Sequence, residues 1–171
     1  MTYKFALMTQ AQAEMIAFSW HYEGKYAFYD MEADEDDLAE FLDTEQRGQS
    51  VFAITNDGEL VGFVSVHQTD ADTIDLGLGM KPGLTGNGTG RAFVTSILDF
   101  IESTFDPNRI TLSVATFNAR AIRVYEACGF RQVASFQQDT NGSTFDFIAL
   151  ERKKRPQDRL RALKNLRSIR A

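Results

Sequence analysis

The sequence predicts one domain of the mixed α/β class, in which helices cover both faces of a mostly antiparallel sheet. Three consecutive β-rich runs are joined by tight turns, which is typical of neighbouring antiparallel strands. Helical segments then alternate with further strands, as in layered folds that combine the two kinds of element. A length of 171 residues is typical of a single domain with a substantial core.

The first third of the chain is predicted to form one strand and two helices. Residues 3–7 are the first strand. Residues 9–12, Thr-Gln-Ala-Gln, have the form of a capping box, which predicts a helix that runs toward Trp20. Apolar residues recur at helical spacing within residues 30–45, so we predict a second, amphipathic helix that ends at Gly48.

The rest of the chain is predicted to alternate between strands and helices. The predicted strands are residues 51–55, 60–66, 73–80, 109–115, 133–138 and 144–150, and the predicted helices are residues 92–101 and 118–128. Residues 56–58, Asn-Asp-Gly, and residues 140–143, Thr-Asn-Gly-Ser, predict two tight hairpins. Gly129 ends the last predicted helix.

Charge is distributed unequally along the chain, whose formal net charge is −6. Residues 151–171 carry nine Lys/Arg and two acids, whereas residues 1–150 carry nine Lys/Arg and 22 acids. An acidic body disfavours DNA as a ligand and favours cationic ones. We predict that residues 151–171 are a separate basic extension, helical after Pro156, that docks on the acidic body or on that of a second subunit in a homodimer. RNA is the alternative partner for this extension.

Several classes of protein are disfavoured by composition. The sequence has no apolar run of about 18 residues, so no membrane span is predicted. The first residues lack a basic region followed by an apolar stretch, which disfavours a secretory signal and favours a cytoplasmic protein. One cysteine excludes an internal disulfide and a zinc site of several thiolates, and no metal ion is predicted.

An aromatic cluster precedes a strongly acidic segment. Its members are Trp20, Tyr22, Tyr26, Phe28 and Tyr29. Nine of residues 30–45 are acidic. Aromatic faces and carboxylates both attract cations, so the cluster is a candidate substrate pocket for an amine. The alternative is that the rings pack on the core and the acids form a solvated helix face.

A glycine-rich loop, residues 83–91, joins a predicted strand to a predicted helix. Glycine allows the backbone to approach a ligand closely, and the first N–H groups of a helix attract phosphate. A nucleotide-hydrolase loop would continue with Lys and Ser/Thr, whereas Arg91 and Ala92 follow here. A dinucleotide fold would place an acid at the end of the next strand, but Asp106 precedes that strand. A different pyrophosphate ligand is therefore indicated.

Two motifs resemble those of the GNAT superfamily of N-acetyltransferases. Residues 85–90 resemble its acyl-CoA pyrophosphate loop, which usually reads Gln/Arg-x-x-Gly-x-Gly/Ala. Gly88 and Gly90 match that pattern, and Thr85 replaces its first residue. Residues 118–130 resemble the family segment Asn-x-x-Ala-x-x-x-Tyr-x-x-x-Gly-Phe at all five fixed positions. The resemblance covers about residues 3–150 and implies the GNAT-like acyl-CoA N-acyltransferase fold.

The resemblance implies direct attack of a primary amine on acetyl-CoA within a ternary complex. The amine would belong to a cationic small molecule or to a peptide or protein N-terminus. The residues implied in acetyl-CoA binding are Leu78, Gly79, Met80, Thr85, Gly86, Asn87, Gly88, Thr89, Gly90, Arg91, Asn118 and Tyr125. Backbone N–H groups near Met80 would stabilise the carbonyl oxygen, and Tyr125 would protonate the departing thiolate. Asn118 also suits a helix N-cap, and Tyr125 a core position.

The general base is left open by the sequence. Some members of the family place Glu on the strand before the second motif, and the corresponding residue here is Ser113. Asp75 on the neighbouring strand is the candidate catalytic base, with a simply solvated acid as the alternative. A water chain, or capture of the neutral fraction of the amine, would serve equally. The alternative function is a non-catalytic acyl-CoA sensor or interaction module that keeps the loop without turnover.

Overall fold

The computed structural model describes residues 2–155, which form a seven-stranded sheet with helices on both faces. The strands are β1 (Tyr3–Leu7), β2 (Val51–Asn56), β3 (Glu59–Gln68), β4 (Thr73–Met80), β5 (Arg109–Ala115), β6 (Arg131–Thr140) and β7 (Ser143–Lys153). Their order across the sheet is β1-β2-β3-β4-β5-β7-β6. Neighbouring strands are antiparallel except β4 and β5, which are parallel. The predicted fold class is therefore confirmed.

Helices precede, interrupt and flank the strands. The α-helices are α1 (Gln10–Ser19), α2 (Glu35–Leu42), α3 (Thr44–Arg47), α4 (Gly90–Phe105) and α5 (Ala119–Ala127), and two short 3-10 helices, Gly24–Tyr29 and Met31–Ala33, connect α1 to α2. The predicted capping box is present, because Thr9 Oγ1 accepts from Gln12 N–H at 3.1 Å and Gln12 Oε1 accepts from Thr9 N–H at 3.0 Å. These two bonds fix the start of α1.

Two clusters of buried apolar side chains lie on opposite faces of the sheet. Val51 on β2 belongs to the cluster under α1 and α2, whereas Ile54 belongs to the cluster under α4. That division follows from the alternation of side chains along a strand. Phe93, Ile97 and Ile101 recur at helical spacing on α4 and are at most 2% exposed. Burial of each such side chain stabilises the fold by roughly 1.5–3 kcal/mol.

Both predicted hairpins are present. The central residues of each turn have left-handed backbone angles, with φ of 51° and 80° at Asp57 and Gly58 and of 53° and 76° at Asn141 and Gly142. This geometry matches the twist of the flanking strands. The second predicted helix is divided into α2 and α3, because Asp43 accepts hydrogen bonds from the first amides of α3 and starts a new helix.

The last strand extends beyond the predicted end of the domain at residue 150. β7 continues to Lys153, and Glu151 and Arg152 are buried. Glu151 Oε2 accepts from Arg109 Nη1 at 3.1 Å, so the first residues of the predicted extension belong to the sheet. The predicted basic helix after Pro156 lies outside the described residues. Between residues 2 and 155, no helix combines the length and apolar character needed to cross a membrane.

Candidate active site

The centre of the candidate site is an opening in the sheet between β4 and β5. The pairing of these parallel strands ends at Leu76 and Leu112, whereas β4 stays paired with β3 as far as Met80. Gly79 lies in this unaccompanied part of β4. A Cβ atom at Gly79 would lie 2.3 Å from a ring carbon of Phe63, so only glycine lets that ring lie across the strand.

The opening exposes backbone donors of β4. Hydrogen-bonded and non-hydrogen-bonded pairs alternate along an antiparallel ladder. Lys81 N–H donates to Val61 O at 2.8 Å, just past the end of the β3–β4 ladder. By alternation, the N–H groups of Leu78 and Met80 point away from β3 and toward the opening. These are the positions at which the sequence predicted donors to a carbonyl oxygen.

A cavity of about 790 Å³ lies at this opening. Its walls come from the glycine-rich loop, α5, the end of β6 and residues 20–34, which we call the aromatic segment. The predicted site residues that line the cavity are Trp20, Tyr22, Tyr26, Phe28, Tyr29, Leu78, Gly79, Met80, Thr85, Gly86, Gly88, Gly90, Arg91, Asn118 and Tyr125. The structure thus brings together most of the residues that the sequence assigned to the cosubstrate and to the amine.

The glycine-rich loop owes its shape to left-handed glycines. Gly83, Gly86 and Gly88 have φ of +88°, +76° and +77°, a region that side chains with a Cβ rarely adopt. Asn87 Nδ2 donates to Gly83 O at 2.8 Å. Thr89 Oγ1 donates to a loop carbonyl at 3.4 Å. Asn87 and Thr89 therefore shape the loop from outside the cavity lining.

Two arginines that the sequence left unassigned also line the cavity, Arg120 and Arg123 on α5. Arg120 Nη1 lies 3.0 Å from the place that a Cβ atom would take at Gly86. The Arg120 guanidinium also lies 4.4 Å from the centre of the Tyr26 ring. With Arg91, these two side chains bring the number of arginines in the cavity lining, among residues 2–155, to three. Their spacing of three residues, within the motif segment 118–130, was the available sequence signal.

Tyr125 lines the cavity from α5 and is buried, with 9% of its surface exposed. Its ring centre lies 5.9 Å from that of Phe130 in an edge-on contact. Burial raises the pKa of the Tyr125 hydroxyl well above its ordinary value. The phenol is therefore protonated at neutral pH, as a proton donor must be.

Asn118 uses both ends of its amide for structural contacts. Its Oδ1 accepts from Ala121 N–H at 3.2 Å, which caps α5. Its Nδ2 donates to Tyr29 Oη at 3.1 Å, which ties the aromatic segment to α5. Burial raises the pKa of Tyr29, so this hydroxyl also stays neutral.

The aromatic rings both pack on the core and form the cavity wall. Trp20 is 5% exposed and belongs to the cluster under α1. Tyr22 Oη donates to Met80 O at 2.6 Å, beside the exposed N–H groups of β4. The centre of the Phe28 ring lies 4.7 Å from the centre of the Phe145 ring on β7. The two interpretations of the cluster, core packing and pocket, therefore describe the same rings.

Two acids also line the cavity, Asp30 and Asp37. Partial burial raises the pKa of Asp37, and the charges of neighbouring acids on α2 and at its start add to the effect. Asp30 accepts from Tyr22 N–H at 2.8 Å, and its other oxygen lies 3.1 Å from His21 Nδ1. Asp37 is exposed, as expected for the solvated helix face that the sequence offered, and its carboxylate also borders the cavity.

The predicted base Asp75 lies away from the cavity. Thr111 Oγ1 donates to Asp75 Oδ1 at 2.7 Å, so this carboxylate has a structural partner on β5. Ser113, which stands where some members of the family carry Glu, does line the cavity. Within residues 2–155, the acids of the cavity lining are Asp30 and Asp37.

Residues 4–131 match the family model described as the acetyltransferase (GNAT) domain. The chain belongs to this family. Curated relatives include mycothiol acetyltransferases. That of Streptomyces avermitilis is 37% identical over 81 residues, covering 46% of this chain and 26% of the relative. That of Acidothermus cellulolyticus is 36% identical over 96 residues, covering 47% of this chain and 29% of the relative. This chain thus spans less than a third of the length of these relatives.

Solved GNAT structures share the fold. The spermidine N-acetyltransferase of Vibrio cholerae in complex with CoA and spermine aligns with a TM-score of 0.65 at 19% identity, over 87% of this chain and 94% of that one. A chimera of that enzyme aligns with a TM-score of 0.68 at 17% identity, over 88% and 95%. A putative phosphinothricin N-acetyltransferase aligns with a TM-score of 0.65 at 14% identity, over 90% of this chain and 99% of that one. The GNAT fold expected from the two motifs is confirmed.

Proposed function

We propose that this GNAT domain transfers the acetyl group of acetyl-CoA to a primary amine on a cationic small molecule or peptide. The charges in the lining of its cavity carry the proposal. Arg91, Arg120 and Arg123 line the cavity with the glycine-rich loop, and Asp30 and Asp37 line the same cavity. The N–H groups of Leu78 and Met80 face the opening in the sheet. An anionic cosubstrate and a cationic acceptor would each find side chains of opposite charge around this opening.

The loop end of the cavity fits the pyrophosphate of CoA. A Cβ atom at Gly88 would have no neighbour within 4 Å, so the loop leaves space for a ligand beside its backbone. Arginine and backbone N–H groups are strong partners for phosphate oxygens. Acetyl-CoA would supply the thioester carbonyl and the sulfur leaving group. A neighbour of the same fold has been solved with CoA and spermine, which supports this assignment.

Backbone and side-chain donors at the opening suit acyl transfer. The N–H groups of Leu78 and Met80 would donate to the oxygen on which negative charge develops. Tyr125 Oη, kept protonated by burial, would donate to the departing sulfur. Asp30 and Asp37 would hold the cationic part of the acceptor. Because Ser113 replaces the acid of some relatives, the proposal assigns no side-chain base, and the neutral fraction of the amine reacts.

Thiol release from acetyl-CoA, measured over a panel of amines, tests the function. The panel contains spermidine, an aminoglycoside, a peptide with a free N-terminus, a neutral amine and an acidic amino acid. We expect cationic amines to be preferred over neutral ones by about tenfold or more in kcat/KM, because two carboxylates face the acceptor. A preference for acidic amino acids would contradict the cationic acceptor. Tight CoA binding with no turnover on any amine would support the sensor, which the absence of an acid at position 113 favours.

Asp37→Asn is expected to raise KM for a diamine by about tenfold, the loss of one charged contact, and to leave KM for a neutral amine unchanged. Glu40→Gln is the matched control, because it removes the same charge from α2 outside the cavity lining. Since burial raises the pKa of Asp37, acidification should protonate this carboxyl before ordinary surface acids. Acidification also lowers the neutral fraction of the amine, but it does so equally for both proteins, so the ratio of the variant KM to the wild-type KM should fall toward one as Asp37 is protonated. Equal effects of the two substitutions would mean that only the overall charge matters.

A further inference from the structure

The aromatic segment has little regular structure of its own to hold it in place. Between the end of α1 and the start of α2 it contains only the 3-10 helices Gly24–Tyr29 and Met31–Ala33. Short helices of this kind contribute few internal hydrogen bonds. The position of the cavity wall therefore depends on contacts between this segment and distant parts of the chain.

One carboxylate at the end of the segment joins two such parts. Asp34 Oδ1 accepts from the N–H groups of Asp36 and Asp37 at 3.0 and 3.1 Å, which caps α2. Asp34 Oδ2 accepts from Thr140 Oγ1 at 3.2 Å and from Asn141 N–H at 3.0 Å. Hydrogen bonds from backbone amides lower the pKa of Asp34, and the bond from Asn141 N–H has the largest effect. The side chain is therefore a carboxylate, and an acceptor only, at neutral pH.

The turn between β6 and β7 returns a second bond to the same segment. Asn141 Nδ2 donates to Phe28 O at 2.9 Å. Asn141 has φ of 53°, and asparagine tolerates this left-handed conformation better than most residues with a side chain. Thr140, Asn141, Phe28 and Asp37 all line the cavity. The bonds thus cross directly between two of its walls.

We propose that Asp34 and Asn141 form a latch that positions the amine side of the cavity and so sets affinity for the acceptor. This inference rests on the proposed acetyl transfer for its kinetic consequence. Asp34 is a positioning residue: its two oxygens are already engaged, and it acts by capping α2 at Asp37 N–H and by holding Asn141, which donates to Phe28 O. The cosubstrate side depends on the glycine-rich loop and α5, which the latch does not touch.

Asp34→Asn removes the bond from Asn141 N–H and keeps the N-cap of α2, so it tests the latch without the cap. Asparagine is as good an N-cap as aspartate, so Oδ1 keeps its bonds to α2. The amide nitrogen in place of Oδ2 cannot accept from Asn141 N–H. The matched control is Asp43→Asn, because Asp43 caps α3 through the same pair of backbone contacts and lies outside the cavity lining. A second variant, Asn141→Gly, keeps the left-handed turn and removes two side-chain bonds, the one to Phe28 O and the one that Asn141 Oδ1 accepts from Thr140 Oγ1 at 3.3 Å.

We expect Asp34→Asn and Asn141→Gly to raise KM for the best amine by about tenfold, the usual scale for losing hydrogen bonds at a charged group. The Kd for CoA should stay within about twofold, since no group of the loop changes. Hydrogen–deuterium exchange should rise in residues 20–33 and stay level in residues 90–101. Asp43→Asn should leave all three measurements unchanged.

The latch is wrong if Asp34→Asn behaves like Asp43→Asn in both KM and exchange. It is also wrong if CoA affinity and melting temperature fall together with amine affinity, because that pattern indicates general destabilisation. If the wild type acetylates no amine, the proposed function fails. The exchange experiment then decides by itself whether the latch holds the aromatic segment.

Discussion

Gly88→Asp is expected to weaken CoA binding by at least about a hundredfold, as measured by calorimetry. At an effective dielectric constant of about 20, a carboxylate about 4 Å from a phosphate costs roughly 4 kcal/mol. Partial solvent exposure reduces this figure. Gly88 also has φ of +77°, so any side chain there adds backbone strain. The proposed pyrophosphate would lie beside the new charge.

Two control variants separate charge from strain in this experiment. Gly58→Asp introduces the same side chain at φ of +80° and also in open surroundings, but in the β2–β3 turn outside the cavity lining. Gly88→Ala adds the strain without the charge. We expect Gly58→Asp to bind CoA normally and Gly88→Ala to lose only a small part of the affinity. Normal CoA binding by Gly88→Asp would remove the loop from the proposed site.

Tyr125→Phe is expected to lower kcat by about 10²-fold, the low end for general acid catalysis. The Kd for CoA should change little, because the buried ring and its contact with Phe130 remain. Steady-state kinetics with the best amine, together with calorimetry, would measure both quantities. The hydroxyl would then act on the reaction and not on binding.

The control for lost hydroxyls is Tyr3→Phe on β1, outside the cavity lining. It should leave kcat unchanged. Because burial raises the pKa of Tyr125, alkaline pH should not deprotonate it, and the ratio of wild-type to variant kcat should stay constant between about pH 7 and 9. Equal kcat in Tyr125→Phe and the wild type would contradict the acid role.

The sequence was sufficient for elements with strong local signals. The bounds of β4 and β5 agree with the predictions, because alternating apolar residues lie between clear turn signals. The two hairpins follow from Asn-Asp-Gly and Asn-Gly, whose central residues tolerate left-handed angles. The spacing of Asn118 and Tyr125 along one helix was equally visible, although the amide of Asn118 proved to cap α5 and to hold Tyr29.

Features that depend on distant contacts were not predictable in the same way. A strand pattern shows which residues share a face, but not where two strands diverge. For that reason Asp75 was a reasonable candidate base, although it lies outside the cavity and bonds to Thr111. The bond between Asp34 and Asn141 joins residues 107 positions apart. Arg120 reaches the cavity only because α5 packs beside the glycine-rich loop.

The divergence of β4 and β5 also affects how this domain can change over evolutionary time. The donors proposed for the reacting carbonyl are main-chain N–H groups at Leu78 and Met80, and every residue except proline carries such a group. Substitutions at these positions can therefore reshape the surroundings of an acceptor while the donors persist. Descendants of this domain could therefore change their amine substrate by single side-chain substitutions while they keep the main-chain donors that the reaction needs.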